Sequence, residues 1–426
     1  MTKDLKLEGY DYNTILSVFY ISYILFEIPS NMVCKIVGPG WFIPSLSLGF
    51  GICSVCTAFV HNKSQACAVR FLLGMFEAGM MPGIAYYLSR WYRRSELAFR
   101  LSLYIVMAPL AGAFGGLLAS GILKLSHFGG LHSWRMLFGI EGIITIGLSL
   151  IAYVTMTDRP ETAIWLTQEE REMAIARVKS ERVATTEVLD KLDTPKLLRG
   201  IFSPVTLSTA FIFLLNNVTV QGLAFFAPTI VATIYPKNSV ISQQLHTVPP
   251  YVVGAFFVVF LSSLSSRFDR RNIFFIISTP LVMVGYIIFL ATDRPHARYG
   301  ATFLIAAGAY SFGSLCNAQV AANVVSDTAR SSAIATNVMF GNLGGLISTW
   351  SFLPNNAPNY DIGNGLNLAT SSTMFLVSIA LLAWMTWDNK RRSMRDVDSE
   401  LSALTGFSLK QIQDLDWRHP AFRWRP

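Results

Sequence analysis

Between Lys63 and Arg90 the chain carries only two charged residues, Arg70 and Glu77, in an otherwise apolar run. Seven residues of helix make about two turns and roughly 10 Å of rise, so the two side chains leave nearly the same face. A lone carboxylate in a low-dielectric setting can load and release a proton near neutral pH. A guanidinium keeps its charge and attracts the carboxylate of an anion. Two readings follow. In one, Glu77 carries a proton and Arg70 binds or gates an anion; in the other, the two form a structural ion bridge that locks their helix. Glu27, beside Pro29, is another acid in an apolar run. It can relay protons or pack against the neighbouring loop, and the second reading is preferred. Glu141 falls near the end of its run and reaches the interface.

Amides supply the next candidates. Asn216, Asn217 and Gln221 sit near the middle of the run 204–233, and Asn217 and Gln221 share a face at a spacing of four. In the run 299–325, Tyr310 and Asn317 lie on one line, and Gln319 and Asn323 on another. Both sets cannot face one cavity. Tyr310 and Asn317 are nearer mid-depth and are the preferred substrate contacts. Hydrogen bonding between helices is the competing reading for all of these amides.

Enzyme chemistry lacks its residues. The six histidines are scattered, and none has ligand spacing or an adjacent activated nucleophile. Cys53 and Cys56 form an isolated C-x-x-C without a second pair, so the five cysteines read as packing residues and no metal or other cofactor is expected. No glycine-rich phosphate loop followed by Lys and Ser/Thr appears, which argues against ATP-driven work. Asn62-Lys63-Ser64 is a glycosylation sequon in a loop too short to favour modification. Gly112, Gly115, Gly116 and Gly121 predict close helix packing.

The elements that must position these residues are membrane spans. Hydrophobic residues make up 52% of the 426 and charged residues 14%, too little charge to clothe a soluble protein of this length. A spanning helix needs roughly 20 mostly apolar residues. Eleven runs qualify: 12–34, 41–60, 65–90, 100–124 and 136–156, then 204–233, 248–266, 272–291, 299–325, 330–353 and 366–387. The chain divides into a five-helix bundle (1–156), a polar linker (157–203), a six-helix bundle (204–387) and a tail (388–426). Thr167 and Glu170 form a capping box ahead of an amphipathic linker helix ending near Lys179. With the linker and tail on one side, that side holds 25 of the 34 Lys and Arg and the other holds 8, Arg70 being within a span. Net charge +8 therefore reports orientation rather than nucleic-acid binding, with linker and tail cytoplasmic. An odd span count then puts the amino terminus outside.

Several stretches resemble the fungal allantoate permease family, the anion:cation symporters of the major facilitator superfamily. They begin with Phe26-Glu27-Ile28-Pro29-Ser30-Asn31 and Arg70-Phe71-Leu72-Leu73-Gly74-Met75-Phe76-Glu77-Ala78-Gly79. Pro82-Gly83, Tyr86-Tyr87-Leu88-Ser89, Ala111-Gly112-Ala113-Phe114-Gly115-Gly116, Trp134-Arg135, Glu141-Gly142 and Asp158-Arg159-Pro160-Glu161-Thr162-Ala163 follow. The second half contributes Thr247-Val248-Pro249-Pro250-Tyr251, Gly341-Asn342-Leu343-Gly344-Gly345 and His419-Pro420-Ala421-Phe422-Arg423. The matches follow the family's order over nearly the whole chain. Two features depart from it. Met1 aligns just after the family's first membrane helix, which accounts for the odd count. The loop motif that latches the two halves in the superfamily is weak, at Lys35 to Gly40 with Gly38, and at Ser265 to Arg271. The second copy keeps Arg267, Asp269, Arg270 and Arg271, but Ser266 stands where an aspartate is typical.

The resemblance implies an all-α integral membrane protein of two pseudo-symmetric bundles with its cavity at the midplane. It implies a monomeric plasma-membrane carrier that moves a small organic anion (a carboxylate, vitamin-like or nitrogen-containing metabolite) with protons by alternating access. No enzyme activity, cofactor or nucleic-acid partner is expected. The alternatives are a transport-inactive receptor or sensor that keeps the fold, and a truncated, non-functional carrier.

Overall fold

The computed structural model describes residues 4–92, 100–101, 103–122, 130–131, 134–179, 194–395 and 415–426. Of the basic residues counted above, Lys3, Arg93, Arg94, Lys124, Arg182, Lys191 and Lys410 lie outside the described residues, as do His127 and His132. Among the described residues, nine helices are long and apolar enough to cross a membrane.

The first half is built from α1 (Asp11–Val37), α2 (Pro39–Thr57), α3 (Lys63–Glu77), α4 (Met80–Trp91), α5 (Met107–Ile122) and α6 (Trp134–Thr155). Helices α3 and α4 meet at a turn over Ala78 and Gly79 and together make one apolar span, Lys63–Leu88. Asn62 is the N-cap of α3: its side chain accepts from the Gln65 amide at 2.9 Å, so the asparagine of the sequon is engaged in capping. Gly38 joins α1 to α2 at φ +95°, where a side chain would be strained and would also meet the Asp158 carboxylate. Asp158 accepts from the Gly40 amide at 2.7 Å. This loop, which has no acid of its own, thus receives one from the far end of α6.

The linker supplies α7 (Gln168–Lys179) and α8 (Thr194–Ile201). The capping box is formed: the Thr167 amide and hydroxyl donate to Glu170 Oε2 at 2.9 and 3.0 Å. The second half contains α9 (Pro204–Ile234), α10 (Val240–Phe268), α11 (Asn272–Ala291), α12 (Pro295–Ala309), α13 (Phe312–Ala322), α14 (Asp327–Ser348) and α15 (Asp361–Ser393). Two expected spans take another form here. The run 299–325 is interrupted between α12 and α13 at Tyr310 and Ser311. The run 330–353 becomes α14, which buries Arg330, Ser332, Thr336, Asn337 and Asn342 against protein and so lacks the apolar character of a lipid-facing helix. Helices α10 and α15 extend several residues beyond the apolar runs that predicted them.

Within the first half α1 packs on α3 and α2 on α6; within the second, α9 packs on α14, and α11 on α12 and α15. Large apolar side chains such as Leu25, Phe114, Leu148, Ile151, Phe256 and Leu376 point outward, as a lipid-facing surface requires. The halves meet along two seams, α1 against α14 and α5 against α10. On the first, Asn13 Nδ2 donates to the Thr349 carbonyl at 2.5 Å and Trp350 Nε1 to Ser17 Oγ at 2.9 Å. At its other end Asn31 Nδ2 donates to Ser331 Oγ at 2.8 Å. The second seam is a glycine contact: a Cβ on Gly112 would lie 2.8 Å from the Tyr251 ring.

Residues 415–426 return to the second half as a strap. The Asp416 carboxylate accepts from the Val325 and Ser326 amides at 2.9 and 3.0 Å, ahead of α14. Trp424 is buried and donates to Asp388 on α15 at 2.7 Å. The Arg425 carbonyl accepts from Gln319 and Asn323 of α13 at 3.1 and 3.0 Å.

Two expectations follow. Gly112→Leu overpacks the seam against Tyr251, at a cost of about 1–3 kcal/mol, whereas a Cβ at Gly115 meets nothing within 4 Å. Thermal unfolding of the purified variants should show Gly112→Leu melting lower and Gly115→Leu unchanged or higher; equal melting would contradict the seam geometry. In the linker, the hydrogen bonds from Thr167 hold the Glu170 carboxyl below its ordinary value of 4.5. Its stabilisation of α7 is therefore complete above that value and is lost as pH falls through the lower, folded one. Amide exchange across 168–179, compared with Glu170→Gln, should show a protection difference at neutral pH that disappears in acid.

Candidate functional site

The close approach of α3 to α1 creates the site. A Cβ on Gly74 would collide with the Phe19 carbonyl and Ser22 Oγ, so the glycine lets the two backbones touch. That contact brings Arg70 and Glu77 beside the tyrosines of α1. Tyr20 lies within electrostatic range of both Arg70 and Glu77, and Tyr23 within range of Glu77 and Glu27. Tyr104, just ahead of α5, also feels both acids. Tyr20 is 1% exposed; its ring contacts Phe225 edge-on at 6.1 Å and covers Gly345 of α14. The cluster therefore faces the second half.

Arg70 and Glu77 do not form an ion pair: no acid lies within 4 Å of Arg70 among the described residues, its Nε has no hydrogen-bond partner, and its guanidinium lies 5.7 Å from the Phe138 ring. Both are half-buried. A cation and an acid two turns apart, neither neutralised by the other, can serve different ligands. Glu141 is exposed on α6. Glu27 is 0% exposed, and neither of its carboxyl oxygens has a hydrogen-bond partner.

The second half presents its candidates differently. Asn217 faces α14, where Gly341 and Gly344 leave room for it, and Gln221 is half-buried one turn further along α9. Asn216 donates to the Ala309 carbonyl at 3.1 Å, beside the α12–α13 break. Tyr310 sits at that break, 6.0 Å from the Tyr251 ring and against Gly254. Asn317 donates to the Gly313 carbonyl at 2.8 Å and accepts from Asn337 of α14 at 3.0 Å. Gln319 and Asn323 turn to the strap, so the two amide lines of this run do separate onto different faces.

In the loop after α10, Arg271 donates to Asp269 at 3.0 Å, its amide donates to the Pro426 carbonyl at 2.9 Å, and Arg425 lies 3.9 Å from Asp269. Arg267 and Arg270 are exposed, and Gly38 packs on Asp158. Tyr20, Tyr23, Tyr104 and Asn337 are not singled out in the sequence, and Asp158 is named there only within the family-like stretch 158–163. The spacing of Tyr20, Tyr23, Glu27 and Asn31, three or four residues apart along one face of α1, was the available signal. No group of three or more metal-ligating side chains occurs among the described residues.

Comparison with known proteins places this architecture. Residues 1–349 match the family model of the Major Facilitator Superfamily. The MFS-type transporter efuF of Hormonema carpetanum is 31% identical over 99% of this chain and 85% of its own length. The high-affinity nicotinic acid transporter of Saccharomyces cerevisiae is 28% identical over 100% of this chain and 78% of its own. A bacterial homologue of the human lysosomal transporter Spinster, in an inward-facing unoccupied conformation, superposes with a TM-score of 0.60 at 16% identity, covering 90% of this chain and 92% of that one. The chain belongs to the Major Facilitator Superfamily: it is a multi-pass helical membrane transporter and not an enzyme.

Proposed function

We propose that this protein is a proton-coupled symporter of a small organic anion, akin to the allantoate permease branch of its superfamily. The observation that carries the reading is the unneutralised pair on α3. Arg70 supplies a permanent positive charge for a carboxylate, and Glu77 supplies a separate group for a proton, both beside tyrosines that face the opposite half. The relative whose name specifies nicotinic acid, a small aromatic carboxylate, fits that charge. Tyr310, Asn317, Asn217 and Gln221 are the proposed contacts from the second half. The broken helix at Tyr310 supports this, because freed backbone groups commonly line transporter cavities.

In this reading α12–α13 and α14 complete eleven crossings. Residues 1–156 and 204–387 rock against each other along the two seams, about an anion held between them. Gly38 and the Arg267–Arg271 loop bias the two end states. The linker (157–203) and tail (388–426) face the cytoplasm, and the carrier works as a monomer in the plasma membrane.

Uptake into proteoliposomes, with nicotinate as the first carboxylate probe, tests the assignment. Glu77→Gln should abolish accumulation driven by a pH gradient yet spare counterflow exchange; unchanged uphill uptake would remove the proton role. Arg70→Gln loses a charge-assisted contact of about 1.5–3 kcal/mol, so the half-saturating anion concentration should rise roughly ten- to hundredfold. An unaltered value would show that the anion binds elsewhere. Saturable binding without flux in the unaltered protein would point instead to a sensor.

A further inference from the structure

Glu27 is used by neither half of this mechanism, yet its surroundings are unusual. It lies on the inner-facing side of α1, one turn from Tyr23 and one turn from Asn31, and is 0% exposed. Neither carboxyl oxygen has a hydrogen-bond partner. Among the described residues none gives it a hydrogen bond or an ion pair. From the segment ahead of α5 comes Tyr104. The cation of α4, Arg90, turns to Tyr86 at 2.5 Å. Lys35 of α1 lies over the same Tyr86 ring at 5.8 Å. Arg330 of α14 donates to the Ala321 carbonyl at 3.2 Å.

An ionised carboxylate sealed in this way would be an uncompensated buried charge, which proteins do not tolerate. The sealed group is therefore the neutral acid. One turn away is its route to water. A small cleft of about 20 Å³, lined by Asn31, Lys35, Thr328, Ser331 and Ser332, opens on the linker side of the α1–α14 seam. That volume holds about one water. Asn31 Oδ1 and Thr328 Oγ1 are buried beside it with no partner. The Asn31–Ser331 hydrogen bond joins the two helices at this level.

We propose that Glu27 is a second proton-binding site, filled when the linker-side part of the α1–α14 seam is closed and emptied to water when Asn31 and Ser331 part. On closing, a hydronium ion that has reached the cleft from bulk water gives up its proton: one of its O–H bonds breaks, an O–H bond forms on the Glu27 carboxylate, neutral water is left behind, and the side chain is sealed neutral. On opening, the O–H bond breaks, the proton passes to water and the carboxylate is hydrated. Tyr23 and Tyr104 each lie within electrostatic range of both Glu27 and Glu77. The inference rests on the proton-coupled reading and adds a site to it.

The test uses the full chain in lipid nanodiscs, with no substrate. Difference infrared spectroscopy reads the carbonyl stretch of protonated carboxyl groups. Spin labels at Val37 and Val325, both exposed on the linker side, read opening of the seam. In the unaltered protein an acid band should fade as pH rises from mildly acidic to mildly alkaline, while the label distance lengthens in step. Glu27→Gln should lose that band and hold the short distance at every pH. Glu77→Gln should keep both the band and the lengthening, which separates this site from the one on α3. Should Glu27→Gln not fold, Glu27→Met, matched in volume and uncharged, gives the same readings. A band undiminished in the Glu27 variants, or a distance in them that still follows pH as before, would overturn the proposal. The proton role of Glu77 is judged separately by uphill uptake, so either can fail without the other.

Discussion

A polar group surrounded by hydrocarbon must find its partner inside the protein or remain neutral, and this constraint organises the whole molecule. It explains why α14, rich in hydroxyls and amides, is covered by α1 and α9 rather than by lipid. It explains why Asn317 and Asn337 bond to each other, and why Ser17, Thr349 and Trp350 form one small network at the far end of the seam. Among the charged side chains inside the spans, Arg70 keeps an unpartnered nitrogen and Glu27 two unpartnered oxygens.

The boundary between the halves is made of contacts suited to breaking and re-forming. On the α1–α14 side the joining bonds are single, neutral and short, involving Asn, Ser, Thr and Trp. On the α5–α10 side a glycine meets a tyrosine ring, with Thr247 and Val248 opposite Gly116. Neutral contacts of this kind are each worth about 1 kcal/mol, against about 1.5–3 kcal/mol for bonds to charged groups. The ion pairs Arg392–Asp388 and Arg271–Asp269 tie residues within one half.

Much of this was legible in the sequence, because spans and caps are local. The apolar runs located most helices to within a few residues, and the spacing of Thr167 and Glu170 announced the linker helix correctly. The glycines at 112 and 116 marked a close contact without revealing Tyr251 and Thr247 as the residues they meet. Partners distant along the chain could not be read. Asp158 reaching back to Gly40, and Asn13 meeting Thr349, are pairings set by the arrangement of whole helices rather than by any nearby pattern. The break at Tyr310 was likewise hidden, since no proline accompanies it and both flanks are apolar. In the site itself the charges of α3 were evident; the tyrosines that enclose them were lost among the chain's many aromatic residues.

The strap formed by residues 415–426 carries a consequence for biogenesis. It clasps α13, the entry to α14 and the base of α15, and reaches the loop before α11 through Arg271, yet it is synthesised after all of them. Those helices must therefore enter the bilayer with Gln319, Asn323 and Asp388 not yet satisfied by the groups that finally bond them. Assembly of this half is completed only once the emerging polypeptide doubles back, so its linker-side ends are drawn together after insertion rather than during it.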